Sequence, residues 1–109
     1  MRVMLEYTAR YPDPITVRAG ARVLVGADDW EFPGWRWCTG PDQRSGWVPE
    51  QLLRREGQEA VLLRDYTARE LSVRAGAEVT VGEAINGWVW VTAGDGRAGW
   101  IPATCLVPG

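Results

Sequence analysis

The chain of 109 residues has no histidine, no lysine, one phenylalanine and two cysteines. Each shortage removes a class of chemistry. Without histidine, Ser/His and Cys/His nucleophilic catalysis has no base, and a metal site loses its commonest nitrogen ligand. Cys38 and Cys105 form no Cys-x-x-Cys pair, so they read as two buried thiols of a reducing compartment. No Gly-rich phosphate loop is present, because Gly94-Asp95-Gly96 reads as a hairpin turn. No spacing of carboxylates argues for acid–base catalysis in a cleft. The expectation is a non-enzyme with no cofactor and no metal.

Positive charge is not concentrated either. The net charge is −2, with six Arg against seven acids in residues 1–53 and four against five in residues 61–109. Nothing collects phosphates, so no nucleic-acid partner is expected. No apolar run approaches membrane-spanning length, so no membrane partner is expected. The opening stretch MRVMLEYTARYPDP has no apolar signal region and no cleavage site, which implies a cytoplasmic chain.

Tryptophan is abundant, with seven residues, and most of it is written twice. Tyr7-Thr8-Ala9-Arg10 aligns with Tyr66-Thr67-Ala68-Arg69 at an offset of 59. Val17-Arg18-Ala19-Gly20-Ala21 aligns with Val73-Arg74-Ala75-Gly76-Ala77 at 56. Trp35-x-Trp37 and Gly46-Trp47-Val48-Pro49 align with Trp88-x-Trp90 and Gly99-Trp100-Ile101-Pro102 at 53. Copy one carries three extra residues around Tyr11–Pro14 and three more within Asp28–Gly34, as loops tolerate. The division expected is one domain over residues 1–53, a polar linker over 54–60 and a second domain over 61–109.

Both copies read as all-β. Val23-Leu24-Val25 and Val79-Thr80-Val81 are apolar, β-branched runs bounded by glycine. Trp88-Val89-Trp90-Val91-Thr92 alternates aromatic and aliphatic residues, as a strand with two faces does. Ala93-Gly94-Asp95-Gly96 and Thr39-Gly40-Pro41-Asp42-Gln43 supply hairpin turns. Pro49 and Pro102 end the returning strands, and a single helical turn fits after each, at Glu50-Gln51-Leu52 and Ala103-Thr104-Cys105. Parity predicts an inward set of Leu63, Val73, Val79, Val81, Val89, Val91 and Ile101, with Cys38 and Val48 in copy one. It predicts an outward set of Trp88, Trp90 and Trp100, with Trp35, Trp37 and Trp47 in copy one. Such aromatic patches are not usual on a monomer's surface.

These residues resemble an SH3 domain, twice. Leu63-Arg64-Asp65-Tyr66-Thr67-Ala68, Glu70-Leu71-Ser72-Val73-Arg74-Ala75-Gly76, Gly87-Trp88 and Gly99-Trp100-Ile101-Pro102 look like the family's ALYDY strand, diverging turn, binding tryptophan and Gly-Tyr-Ile-Pro strand. Glu6-Tyr7, Ile15-Thr16-Val17-Arg18-Ala19-Gly20, Trp35 and Gly46-Trp47-Val48-Pro49 match in copy one. The resemblance implies two tandem five-stranded SH3-like barrels with minimal helix. It also implies a shallow aromatic groove for extended, proline-rich segments.

Carried over residue by residue, Tyr66, Trp88 and Pro102 match groove positions, as do Tyr7, Trp35 and Pro49. Trp47 and Trp100 stand where an aromatic lines the same surface, and Trp37 and Trp90 share their strand face. Leu5 and Arg64 replace the first ALYDY tyrosine, and Leu52 and Cys105 replace the last groove tyrosine. Copy one keeps a full-length RT loop with Asp13. Its acidic, aromatic loop holds Trp30 and Glu31, suited to an Arg or Lys of a ligand.

The reading is an adaptor that binds a proline-rich or basic peptide segment, mainly through copy one. A structural protein whose tryptophan faces are buried between its own modules or in a homodimer stays open beside it. A glycan binder also stays open, since stacked tryptophan holds sugars, although no export signal supports it.

Overall fold

A computed structural model of the chain describes residues 1–28 and 32–106. It is all-β, as expected, with strands β1 (Thr16–Val17), β2 (Arg22–Asp28), β3 (Trp35–Thr39), β4 (Ser45–Pro49), β5 (Leu53–Glu56), β6 (Glu59–Leu62), β7 (Tyr66–Thr67), β8 (Val79–Ile85), β9 (Trp88–Ala93) and β10 (Ala98–Pro102). Two short 3-10 turns, Glu50–Leu52 and Ala103–Leu106, follow Pro49 and Pro102 where the sequence placed them.

The chain forms two compact units. Asp13–Arg69 makes one; Met1–Pro12 together with Glu70–Gly109 makes the other. Neither coincides with a sequence repeat.

The Asp13–Arg69 unit carries an antiparallel sheet in the order β4-β3-β2-β6-β5 and a separate β1–β7 ribbon. The β3–β4 hairpin closes because Gln43 takes φ 70° and the Gly40 N–H donates to the Arg44 carbonyl at 2.9 Å. The Asp42 carboxylate accepts the Arg44 N–H at 3.1 Å and braces that turn. Residues 54–60, polar in sequence, are strand, turn and strand. Gly57 supplies φ 70°, and Leu53 lies opposite Leu62. Their polarity is that of an exposed hairpin whose inward residues are Leu53, Ala60 and Leu62. Around these the unit buries Ile15, Val17, Val23, Cys38 and Val48.

The second unit repeats the pattern with a three-stranded sheet, β10-β9-β8, and isolated bridges from the N-terminal segment. Its distal turn matches the first: Gly96 takes φ 91° and the Asp95 carboxylate accepts the Arg97 N–H at 3.1 Å. Val3, Leu71, Val73, Val79, Val89, Val91, Ile101, Cys105 and Leu106 form its core. Two expected core residues lie outside. Leu63 is 56 % exposed, because Leu62, one position earlier, holds the inward register of β6. Val81 is 40 % exposed, because the register of β8 on β9 shifts between Val81 and Ala84 as the strand leaves the core.

The units fail to match the repeats because the repeats exchange their first strands. Val17 lies opposite Tyr66, whereas Val73, the equivalent of Val17, is bridged to Tyr7. The hydrogen bonds at the start of each exchanged strand are equivalent. Val3 donates to Ala77 at 2.8 Å and accepts from Gly76 at 2.7 Å; Leu62 donates to Ala21 at 2.9 Å and accepts from Gly20 at 2.7 Å. Met4 donates to Cys105 at 2.7 Å and Leu63 to Leu52 at 2.8 Å. Each unit is thus built from the first strand of one repeat and the remainder of the other.

Candidate functional site

In the unit containing both chain ends, Tyr7 and Trp88 meet edge to face, with ring centroids 5.7 Å apart and planes at 83°. That distance and tilt are favoured by the ring quadrupoles. Both rings are half-buried. Trp88 sits at the start of β9, directly opposite Pro102 at the end of β10. The Ala103 N–H donates to the Gly87 carbonyl at 2.8 Å and fixes the turn that presents the indole. On the same strand pair Trp90 and Trp100 face each other, centroids 5.4 Å apart at 77°.

Glu70 organises the approach to this pair. Its Oε1 accepts the Tyr7 hydroxyl at 2.6 Å and the Arg10 backbone N–H at 3.0 Å. Burial, and then the Glu70 carboxylate, hold the Tyr7 hydroxyl well above the ordinary tyrosine range, so it remains a donor. Beside it the Ala9 N–H donates to Ser72 Oγ at 2.9 Å. The ordered segment Tyr7–Arg10 thereby fixes one wall of an aromatic, partly open surface. Sequence reasoning missed Glu70 as a site residue. The signal was the single acid in the short stretch Thr67–Glu70.

The equivalent surface of the Asp13–Arg69 unit is closed. Trp35 is 4 % exposed, and Pro49 opposite it and Tyr66 are buried. The Tyr66 hydroxyl donates to the Trp47 carbonyl at 2.8 Å and lies down on β4. Trp37 and Trp47 pair edge to face at 5.1 Å. Asp13 forms an ion pair with Arg44 at 3.1 Å. Trp30 and Glu31 lie outside the described residues.

The expected groupings are therefore rearranged. The repeat pattern groups Tyr7 with Trp35 and Pro49; the structure brings it instead to Trp88, which stands opposite Pro102. Tyr66 was matched with Trp88 and Pro102; it lies beside β4, where Trp47 and Pro49 stand. The exchange of first strands causes both changes. The expectation of uniformly exposed indoles also fails: Trp35 and Trp100 are buried, while Trp37, Trp47, Trp88 and Trp90 are half-buried. For Trp100 the cause is a backbone neighbour. Glu70 forms a parallel bridge to it, and the Leu71 N–H donates to its carbonyl at 3.1 Å.

The thiols are inert. Cys38 and Cys105 are buried and free, and burial pushes the Cys38 thiol up to about 11. Among the described residues no group of His, Cys, Asp and Glu could hold a metal ion. Among the same residues no helix is long and apolar enough to cross a membrane.

A family model described as the variant SH3 domain matches the chain twice, over residues 1–56 and over residues 60–109. No curated protein and no solved structure matches. The two matched stretches leave only residues 57–59 between them, at the turn of the β5–β6 hairpin.

Proposed function

The chain belongs to the variant SH3 domain family in two copies, and from that premise we propose that it is a cytoplasmic, non-enzymatic adaptor that binds an extended peptide at Tyr7, Trp88 and Pro102. SH3 domains generally mediate protein–protein interactions and are typically non-catalytic. The observation that carries the choice of groove is the contrast in burial. Tyr7 and Trp88 are half-buried in a fixed edge-to-face pair, whereas their counterparts Tyr66 and Trp35 are covered; the prolines beneath them, Pro102 and Pro49, are buried in both units.

A half-buried aromatic wall next to a proline suits a ligand already in the polyproline II conformation, which loses little entropy on docking. Glu70 places negative charge beside that wall and favours a ligand carrying an arginine or lysine near its proline. Trp90 continues the surface along β9. The copy-one surface is the weaker binder in this reading, because its tryptophan already serves as packing.

A second reading has its own support. The burial of Trp35 and Trp100 fits a structural or assembly protein whose tryptophans are consumed in its own packing. The two readings separate at Trp88. Trp88→Ala should weaken binding of a proline-rich, arginine-flanked peptide by about 30-fold or more, the loss typical of an interface anchor. Its melting temperature should change little. Failure of every such peptide to bind the parental chain, or an unchanged Kd in Trp88→Ala, overturns the groove reading.

A further inference from the structure

The two connections through which the chain passes between its compact units differ in length. Five residues, Arg10–Pro14, separate Ala9 from Ile15, but only Arg69 and Glu70 separate the equivalent Ala68 from Leu71. In the Asp13–Arg69 unit the Ala68 N–H donates to the Ile15 carbonyl at 3.0 Å, and Tyr66 lies opposite Val17. Within repeat two the matching partners are Leu71 and Val73. Pairing Tyr66 and Ala68 with those would make Arg69-Glu70 a two-residue hairpin loop.

Two-residue loops between antiparallel strands take type I′ or II′ turns, which need positive φ at both central residues or glycine at the first. Arg and Glu each carry a Cβ that opposes the left-handed region. In the exchanged structure neither adopts it. The positive-φ positions among the described residues are Gln43, Asn86 and six glycines. Repeat one has room to close on itself, but exchange is reciprocal. Once Leu62–Ala68 occupies the place beside Val17, residues 1–7 are left with the place beside Val73.

We propose that Arg69-Glu70 is a hinge too short to close, and that it commits the two repeats to exchange first strands within one chain. The repeats then form one folding unit instead of two separable modules. The hinge also decides which tyrosine meets Trp88. This inference does not rest on the peptide-binding reading, and its test involves no ligand.

The test uses the full chain and cysteine pairs that report on pairing. Arg2 is bridged to Glu78, and both are exposed. Without exchange the partner of Arg2 would be Arg22, which in the structure lies opposite Val61. Antiparallel partners have Cα separations of about 4.5–5.5 Å, within disulfide reach. On mild oxidation Arg2→Cys/Glu78→Cys should cross-link as a monomer, and Arg2→Cys/Arg22→Cys should not. Inserting Tyr-Pro-Asp between Arg69 and Glu70, which gives repeat two the loop length of repeat one, should move the preference toward the second pair by about tenfold or more. Arg69→Asn/Glu70→Gly, which supplies a type I′ turn without added length, should move it the same way. Cross-linking of the second pair in the parental hinge, a dimeric product from the first pair, or no response to either hinge change overturns the proposal.

Discussion

Tyr7 and Val73 exchange both of their backbone hydrogen bonds, at 3.0 and 2.9 Å, across most of the length of the chain. Tyr66 holds the equivalent place opposite Val17. The aromatic surface at Trp88 therefore contains residues from both repeats, and a cut between the repeats would separate Tyr7 from its partner even though the cut touches neither residue.

Trp35 should behave as core. Trp35→Ala removes an indole that is 4 % exposed and should cost about 3–5 kcal/mol. In a chain of this size that lowers Tm by at least about 12 °C. Thermal unfolding followed by circular dichroism checks it. Trp88→Ala, at a half-buried ring, should lose far less, and the reverse order would contradict the burial described above.

Gly46 should not tolerate a side chain. A Cβ there would lie 2.9 Å from Ile15 Cγ2, 3.0 Å from the Ala68 Cβ and 3.3 Å from the Ile15 backbone nitrogen. None of these is the free end of a flexible chain. Gly46→Ala should destabilise by about 1–3 kcal/mol, as overpacking does, measurable as a lower urea midpoint. Gly94→Ala meets no atom within 4 Å and is the control.

Stability should fall in alkali through Cys38. Its folded value near 11 stands above the unfolded value of about 8.5. Between the two, the unfolded chain has lost the proton that the folded chain keeps. Stability is therefore full below about pH 8.5, falls by about 1.4 kcal/mol per pH unit, and levels off above the folded value. Tyr7, also raised, adds to the slope only from about pH 10 upward. Cys105, also raised by burial, acts with the same sign, so in urea unfolding between about pH 8 and pH 11 Cys38→Ala should make the slope below about pH 10 shallower than in the parental chain.

Much of this fold is legible in the residues. The alternation of Trp88-Val89-Trp90-Val91 gives the faces of β9, and Asp42 and Asp95 mark equivalent distal turns. Pro49 and Pro102 mark the ends of β4 and β10 and the 3-10 turns that follow. The exchange was not legible from alternation, since Val3 and Leu62 offer the same inward register and Tyr7 and Tyr66 the same bridging position. Hydrophobic patterning states that a first strand fits a place in the sheet; it does not state which copy. Among the described residues, Arg69 and Glu70 discriminate, through turn geometry. The burial of Trp35 and Trp100 escaped for a related reason: parity assigns a face but not what the rest of the chain lays across it.

The exchange also sets an order in time. Residues 1–12 are synthesised well before the residues they finally pair with, Val73 and Glu78. At about 5–20 residues per second the wait lasts several seconds. During it the first strand can rest only against its own repeat, which the five-residue stretch Arg10–Pro14 allows. Leu62–Ala68 then arrives and takes that place. The first strand of repeat one is a temporary tenant there, and its lasting address is the repeat synthesised after it.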